Sequence, residues 1–457
     1  MADNKSTDFI IEGKTLVKYT GAAKTVKVPN GVAVIGESAF EENHDIVTVD
    51  LNEATEIKAR ALYFCKNLKK VVAKNVKTVG HSAFRANLML KTVVFGAVER
   101  IDDYAFFDGL YLAELVGTER LVYLGDSALD GADLTHFKMS NDATYIGPCA
   151  FRCSDITEFD FPDCIEVIES CVFAGCDGLR RVTLPKKLKT IKRHAFSDCY
   201  MLRRIELPES LTDIEPEAFD GCNIAEVYNK TNIDIVAGRG KPGGRVAEFA
   251  ISVFTTEADD THTVIDGFVF CTDSRDNGRT YLTEYIGNKN DLILPRDCNG
   301  RDYGIYRMAF AESDITSIDL GDGVTEISNL AFYKCEQLKS VKFGSGLKTI
   351  YRLAFKLCEK LKCAELPDST ELLGSGAFLG TGIEYIKFGS GMKEIRSANF
   401  DYCRAFHRIY YTGTPEQFEA IKAGGGCKEW FKKIVRYYSE TPQNGCWHYA
   451  DGEIKEY

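Results

Sequence analysis

The chain has 457 residues, is 45% hydrophobic and 27% charged, and carries a net charge of −11 from 67 acidic and 56 basic side chains. This composition excludes a disordered or collagen-like chain, and no apolar run is long enough to insert into a bilayer as a helix. The acidic balance argues against bulk nucleic-acid binding, and sixteen cysteines in a chain of this size do not make a disulfide-stapled miniprotein.

In chain order, residues 1–8 are polar and lack an apolar leader core. As written, this reads as cytoplasmic; a trimmed leader or non-classical export would place the protein at the cell surface or outside. Residues 1–30 read as a hairpin cap, with strands at Phe9-Ile-Ile11 and Leu16-Val-Lys-Tyr19 and an entering strand at Val26-Lys-Val-Pro29.

A repeat then dominates residues 31–228, giving nine units. Ala-Phe pairs and their variants end at Phe40, Leu62, Phe84, Phe106, Leu129, Phe151, Phe173, Phe196 and Phe219, in steps of 22 or 23 residues. Five residues before each lies an aliphatic, from Ile35 and Ile57 to Ile191 and Ile214. The clearest unit runs Leu179-Arg-Arg-Val-Thr-Leu-Pro185, Leu188-Lys-Thr-Ile191, Ala195-Phe196-Ser-Asp-Cys199. Its first segment alternates with period two, as a half-buried strand does, and Pro185 ends it. A unit this small cannot bury its own apolar face, so copies must stack into a right-handed, mainly β repeat solenoid of short parallel strands.

Residues 229–255 read as a first C-cap, with a glycine loop and a helix over Arg245–Ile251. Residues 256–300 read as a second hairpin cap. A second array of five repeats occupies 301–411, with Ala-Phe positions at Phe310, Phe332, Phe355, Phe378 and Phe400. Residues 412–457 read as a final cap of helix plus β-hairpin, the helix running from Glu416 to Ala423 with Thr414 as N-cap and Pro415 at the first position.

The motif Leu-x-x-Ile-x-x-x-Ala-Phe-x-x-Cys-x-x-Leu-x-x-Val-x-Leu-Pro resembles the BspA-type leucine-rich repeats of bacterial and some protist proteins. The tail from Tyr410 through Tyr437 to Trp447 and Gly452 resembles closing segments of bacterial members. The resemblance implies two tandem leucine-rich-repeat arrays and a role in cell-surface adhesion and protein binding.

Gly238-Arg-Gly240-Lys-Pro-Gly243 follows an apolar stretch, Ile233–Ala237, expected as a strand, and precedes the expected helix. Glu257, Asp259 and Asp260 lie about 20 residues on, so a nucleotide or small-ligand loop is one alternative. No second Rossmann strand–helix pair accompanies it. Seven repeats end the Ala-Phe-x-x-Cys turn in cysteine and the others place Asn, Gly, Ala, Ser or Thr there, which reads as a demand for a small side chain. A straight thiol ladder does not converge on a metal. Neither HExxH nor GxSxG occurs, and no cofactor is implied.

What remains is the outward side of the strand ladder. The expected binding surface comprises His136, Lys138, Arg181, Arg204 and Tyr228 in the first array. In the second it is a cluster of Tyr385, Lys387, Arg408 and Tyr410. Tyrosine and arginine are frequent interface anchors. The reading is a non-enzymatic protein-binding or adhesion-type protein, with glycan recognition by the exposed aromatics as a further alternative.

Overall fold

The computed structural model describes residues 8–241, 243–255, 262–272, 278–424 and 428–457. The chain divides into two compact units, Met1–Ala258 and Asp259–Tyr457, each with its own apolar core. Both are parallel-strand solenoids.

Each coil has three hydrogen-bonded rows. The first is a row of strands up to four residues long. In the first unit Thr25–Lys27, Thr48–Asp50, Lys70–Ala73, Thr92–Phe95 and Glu114–Val116 form one parallel sheet. Their second residues, such as Val71 and Val93, are buried while the first faces outward, the alternation of a half-buried strand. The second row consists of two-residue strands, such as Glu56–Ile57, Thr78–Val79 and Arg100–Ile101, whose aliphatic residue points inward. The aliphatics five residues before each Ala-Phe pair fill this row.

The third row is the Ala-Phe turn itself. Ser82, Phe84 and Ala86 donate their amides to the carbonyls of Asp103, Ala105 and Phe107 in the next coil at 3.0, 2.8 and 3.0 Å. Donating every second amide sideways requires the chain to reverse between them, so Ser82 and Ala86 sit at φ 54° and 61°. The same left-handed pair flanks most Ala-Phe positions, often at residues that carry a Cβ, such as Leu353 and Leu357. Left-handed backbone costs about 1–2 kcal/mol per such residue; the inter-coil bonds and the buried phenylalanine offset it.

Inside, the phenylalanines stack. Phe332, Phe355 and Phe378 follow one another at 4.8 and 5.2 Å between ring centroids, with planes within 3°, the spacing that strand pairing imposes. The Gly-Ser-Gly triplets are turns at close coil approaches: a Cβ on Gly344 would collide with the Gly321 carbonyl.

Each array is entered by a hairpin whose last strand is already part of the second row. Phe9–Glu12 pairs with Thr15–Tyr19, which lies parallel to Val34–Ile35 with Leu16 opposite Ile35. In the second unit the entry is a three-stranded meander, His262–Ile265, Phe268–Thr272 and Thr280–Tyr285, one strand more than expected.

Three local expectations are corrected. Arg245–Ile251 is no helix: Gly243, Gly244 and Arg245 are all left-handed, and the segment is a run of turns linked by Val246 N to Gly243 O and Glu248 N to Arg245 O. Phe219 N donates to Gly244 O, so this is the turn row of one more coil, and Ser252–Phe254 adds a parallel strand beyond Glu226–Asn229. The helix after Thr414 spans only Pro415–Ala420, because Lys422–Ala423 is drawn into the second row beside Glu394–Ile395. The coil holding His136 and Lys138 forms no first-row strand: that sheet stops at Glu114–Val116, where Gly117 turns away at φ 85°, and the row resumes at Glu158–Asp160.

Candidate binding surfaces

The interior positions satisfy one another. Every ladder cysteine donates its thiol to the carbonyl of the phenylalanine one coil earlier. Cys65 reaches Phe40 O at 3.1 Å, Cys199 reaches Phe173 O at 3.2 Å and Cys358 reaches Phe332 O at 3.0 Å. Asn87, which replaces cysteine, donates to Leu62 O at 2.9 Å and accepts from Cys65 N at 2.7 Å. The position therefore favours a short side chain that can also donate, a preference hidden behind the reading of size alone, though Gly109 and Ala132 fill it without donating. Burial pushes the thiols of Cys65 and Cys176 up to about 12, so these groups stay protonated and unreactive. All cysteines among the described residues are free thiols, and no group of three His, Cys, Asp or Glu among them could hold a metal ion.

The glycine loop lacks the context of a phosphate cradle. Ile233–Ala237 forms no strand and no helix follows. Gly238 N bonds to Ala247 O, and Arg239 pairs with Glu248 at 3.1 Å. Pro242, Glu257, Asp259 and Asp260 lie outside the described residues.

On the first unit, Arg181 is exposed and already engaged. Its guanidinium lies 2.9 Å from Glu158 and 2.8 Å from Asp160, and it reaches Thr183 at 3.1 Å. The register explains this, since Arg181 lies opposite Glu158 and Thr183 opposite Asp160. Arg204 pairs with Glu226 at 3.1 Å and lies over the Tyr228 ring. Tyr228 is a correction: it was expected to face outward, yet it is fully buried. Phe254, opposite it in the added strand, stacks on it at 5.1 Å, and the Tyr228 hydroxyl donates to buried Glu226 at 2.6 Å. His136 and Lys138 are exposed on an irregular segment, His136 bonded to Thr135 Oγ1 at 2.9 Å.

On the second unit the four expected residues do come together. Tyr385 and Tyr410 meet edge to face at 5.3 Å, and register sets Tyr385 opposite Arg408 and Lys387 opposite Tyr410. The cluster is nonetheless half-buried, because the C-terminal hairpin, Cys446–Ala450 with Glu453–Glu456, folds over it. Tyr410 donates to Glu456 at 2.9 Å, and Arg408 lies 2.6 Å from the same carboxylate. Tyr449 donates to Glu365 at 3.0 Å with Lys387 over its ring, and Trp447 packs against Tyr410 at 5.6 Å. Burial, and then the Glu456 carboxylate, push the Tyr410 hydroxyl up to about 12. Trp447 is fully buried and its indole donates to Tyr411 O.

A further surface escaped the reading of strand positions. Leu88, Met89, Leu110 and Tyr111 are large, exposed and apolar, four and five residues after Phe84 and Phe106. The signal was there to be read: at the same positions other coils carry Lys66 and Asn67, Glu336 and Gln337, or Glu359 and Lys360.

Stacked coils with an inward Phe column, a thiol–carbonyl ladder and one row of outward-facing strands define a leucine-rich-repeat solenoid. BspA-type leucine-rich repeat regions match residues 13–112, 122–237 and 303–421, and the chain belongs to that family. Among solved structures it is similar to a leucine-rich cell surface protein from Faecalibacterium prausnitzii, at 21% identity over 92% of this chain and 96% of that one, with a TM-score of 0.40. It is also similar to a leucine-rich repeat protein from Bacteroides ovatus, at 21% identity over 94% and 99%, TM-score 0.37. A third is the pneumococcal vaccine antigen PcpA, at 16% identity over 90% and 91%, TM-score 0.33. No curated protein matches the sequence. Among the described residues, no helix is long and apolar enough to cross a membrane.

Proposed function

We propose that the chain is a non-catalytic binding protein of the adhesion type, contacting a protein partner through the outward side chains of its coils. The supporting observation is the division of labour within the repeat. The recurrent residues point inward and bond to one another, as Cys199 does to Phe173. The outward positions change from coil to coil, from Glu158 and Asp160 to Arg181 and Thr183. A solenoid fixes a shape and leaves specificity to such positions. The two clusters assigned to this role are the exposed Arg181 with Glu158 and Asp160, and the half-buried Tyr385 with Lys387, Arg408 and Tyr410, which the C-terminal hairpin partly covers.

Chemical cross-linking of the full chain on native cells, with mass spectrometry of what it captures, tests the reading. Arg181→Ala, or Tyr385→Ala with Tyr410→Ala, is expected to weaken the captured complex about tenfold, with melting temperature measured in parallel to separate binding from folding. A partner held equally by all variants would remove these clusters from the assignment. Protease shaving of intact cells tests the adhesion element: peptides released from both units support it, and recovery only after lysis sinks it.

A further inference from the structure

The exposed ridge on the Phe84 and Phe106 coils differs from every other surface considered above. Leu88 is 43% exposed, Met89 38%, Leu110 54% and Tyr111 53%. The two coils are in register here: Lys91 N donates to Lys69 O at 2.9 Å, and Ala113 N to Lys91 O at 3.2 Å. Leu88 and Leu110 are therefore equivalent residues on adjacent coils, as are Met89 and Tyr111, about 5 Å apart by strand spacing. Clustered apolar side chains of this kind on a soluble protein mark an interaction surface. Gly131, in the following coil, adds room on one side, since a Cβ there would lie 3.5 Å from Leu110 Cδ2.

Beside the ridge stand lysines. Lys69, Lys70 and Lys91 are exposed and make no ion pair or side-chain hydrogen bond among the described residues. In a chain of net charge −11, in which lysines such as Lys77, Lys186 and Lys342 hold carboxylates, these three leave their charge available to a partner. Lys91 directly follows the turn closed by Leu90 N on Asn87 O, whose exposed residues are Leu88 and Met89, so apolar and cationic groups are neighbours along the chain. The carboxylates on the neighbouring turns are Asp108 and Glu114 on the Phe106 coil and Asp45 on the coil before Lys69.

We propose that this edge is a docking site for an acidic, amphipathic protein segment, its apolar side chains seated on Leu88, Met89, Leu110 and Tyr111 and its carboxylates on Lys69, Lys70 and Lys91. The inference rests on the binding-protein reading and gives it a place and a partner chemistry. A lipid surface fits less well. The ridge is only two coils, about 10 Å, across.

The test is selection of a random peptide display library on the immobilised full chain. The expected outcome is enrichment of sequences that mix Asp or Glu with Leu, Phe or Trp. A synthetic copy should lose about tenfold in affinity on Lys69→Glu with Lys91→Glu, and again on Leu110→Ser with Tyr111→Ser, while Lys186→Ala, at an exposed lysine away from the ridge, leaves it unchanged. All these side chains are exposed, and circular dichroism of each variant checks folding. Enrichment of peptides without carboxylates, selection of no peptide, or affinity unchanged in both variants would overturn the proposal. So would binding of phosphatidylserine vesicles in preference to any peptide. Peptides that depend on Arg181 or Tyr385 instead would overturn this site and leave the binding-protein reading standing.

Discussion

The two units share one interior and end differently. The first ends in one more coil: turns at Gly243–Arg245 replace the Ala-Phe turn, and Ser252–Phe254 extends the first row. The second also adds a coil, with short helices at Pro415–Ala420 and Lys428–Ile434 in place of turns, but its chain continues and folds back over the outward face. The two endings bury different outward residues, Tyr228 beside Phe254 in one and Tyr410 under Trp447 and Glu456 in the other. An outward position in the repeat is thus exposed only until the end of the array is known.

The sharpest way to break this comparison is Trp447→Ala. Emptying a fully buried indole site should cost the second unit about 3–5 kcal/mol in urea unfolding. It should also open the polar segment 439–445 to proteolysis. A loss below about 1 kcal/mol would mean that the hairpin does not hold that face. A smaller effect probes what the units have in common. Cys199→Ala in the first and Cys358→Ala in the second should each cost about 1–2 kcal/mol, with serine recovering most of it by keeping the donor to Phe173 O or Phe332 O. Unequal losses would show that the shared interior is not energetically shared.

The smallest effect concerns a feature of the first unit. Asp133 hydrogen-bonds Asp155, and burial with the charges of Asp133 and Asp177 adds to this, pushing the Asp155 carboxyl up to about 6. Its folded value exceeds that of an unfolded aspartate, about 3.9. Between those values the folded chain binds more protons, so stability falls as pH rises from about 4 through 6. Asp155→Asn should therefore raise the melting temperature slightly at pH 7 and leave it unchanged near pH 4; a gain that persists at pH 4 would point to some other cause.

Much of the fold was legible because its strongest signals are local. The Ala-Phe register and the aliphatic five residues earlier mark two of the three rows, and Thr414 with Pro415 and Gln417 spells a capping box. The third row was silent. Its left-handed residues include Phe64, Leu330 and Leu357, which carry no turn signature and are held by bonds to the next coil. The added coil after Tyr228 was hidden because Arg245–Ile251 has a helical pattern of apolar residues, while three left-handed residues at its start forbid a helix. At the candidate site, the meeting of Tyr385, Lys387, Arg408 and Tyr410 followed from strand register. Their covering did not, since it depends on contacts such as Tyr449 to Glu365, 84 residues apart, which no periodicity encodes. The ridge at Leu88 and Tyr111 was legible and passed over, because attention to strand positions skips the turns.

The turn row also bears on how such a gene can change length. Because the amides of Ser82, Phe84 and Ala86 donate forward, to the carbonyls of Asp103, Ala105 and Phe107 in the next copy, duplicating one whole coil restores every bond with a new neighbour. Inserting a single residue between the two left-handed positions would misalign all three. Recombination between copies is therefore the low-cost route to a longer or shorter array, and it brings with each new coil a fresh set of outward side chains for selection to act on.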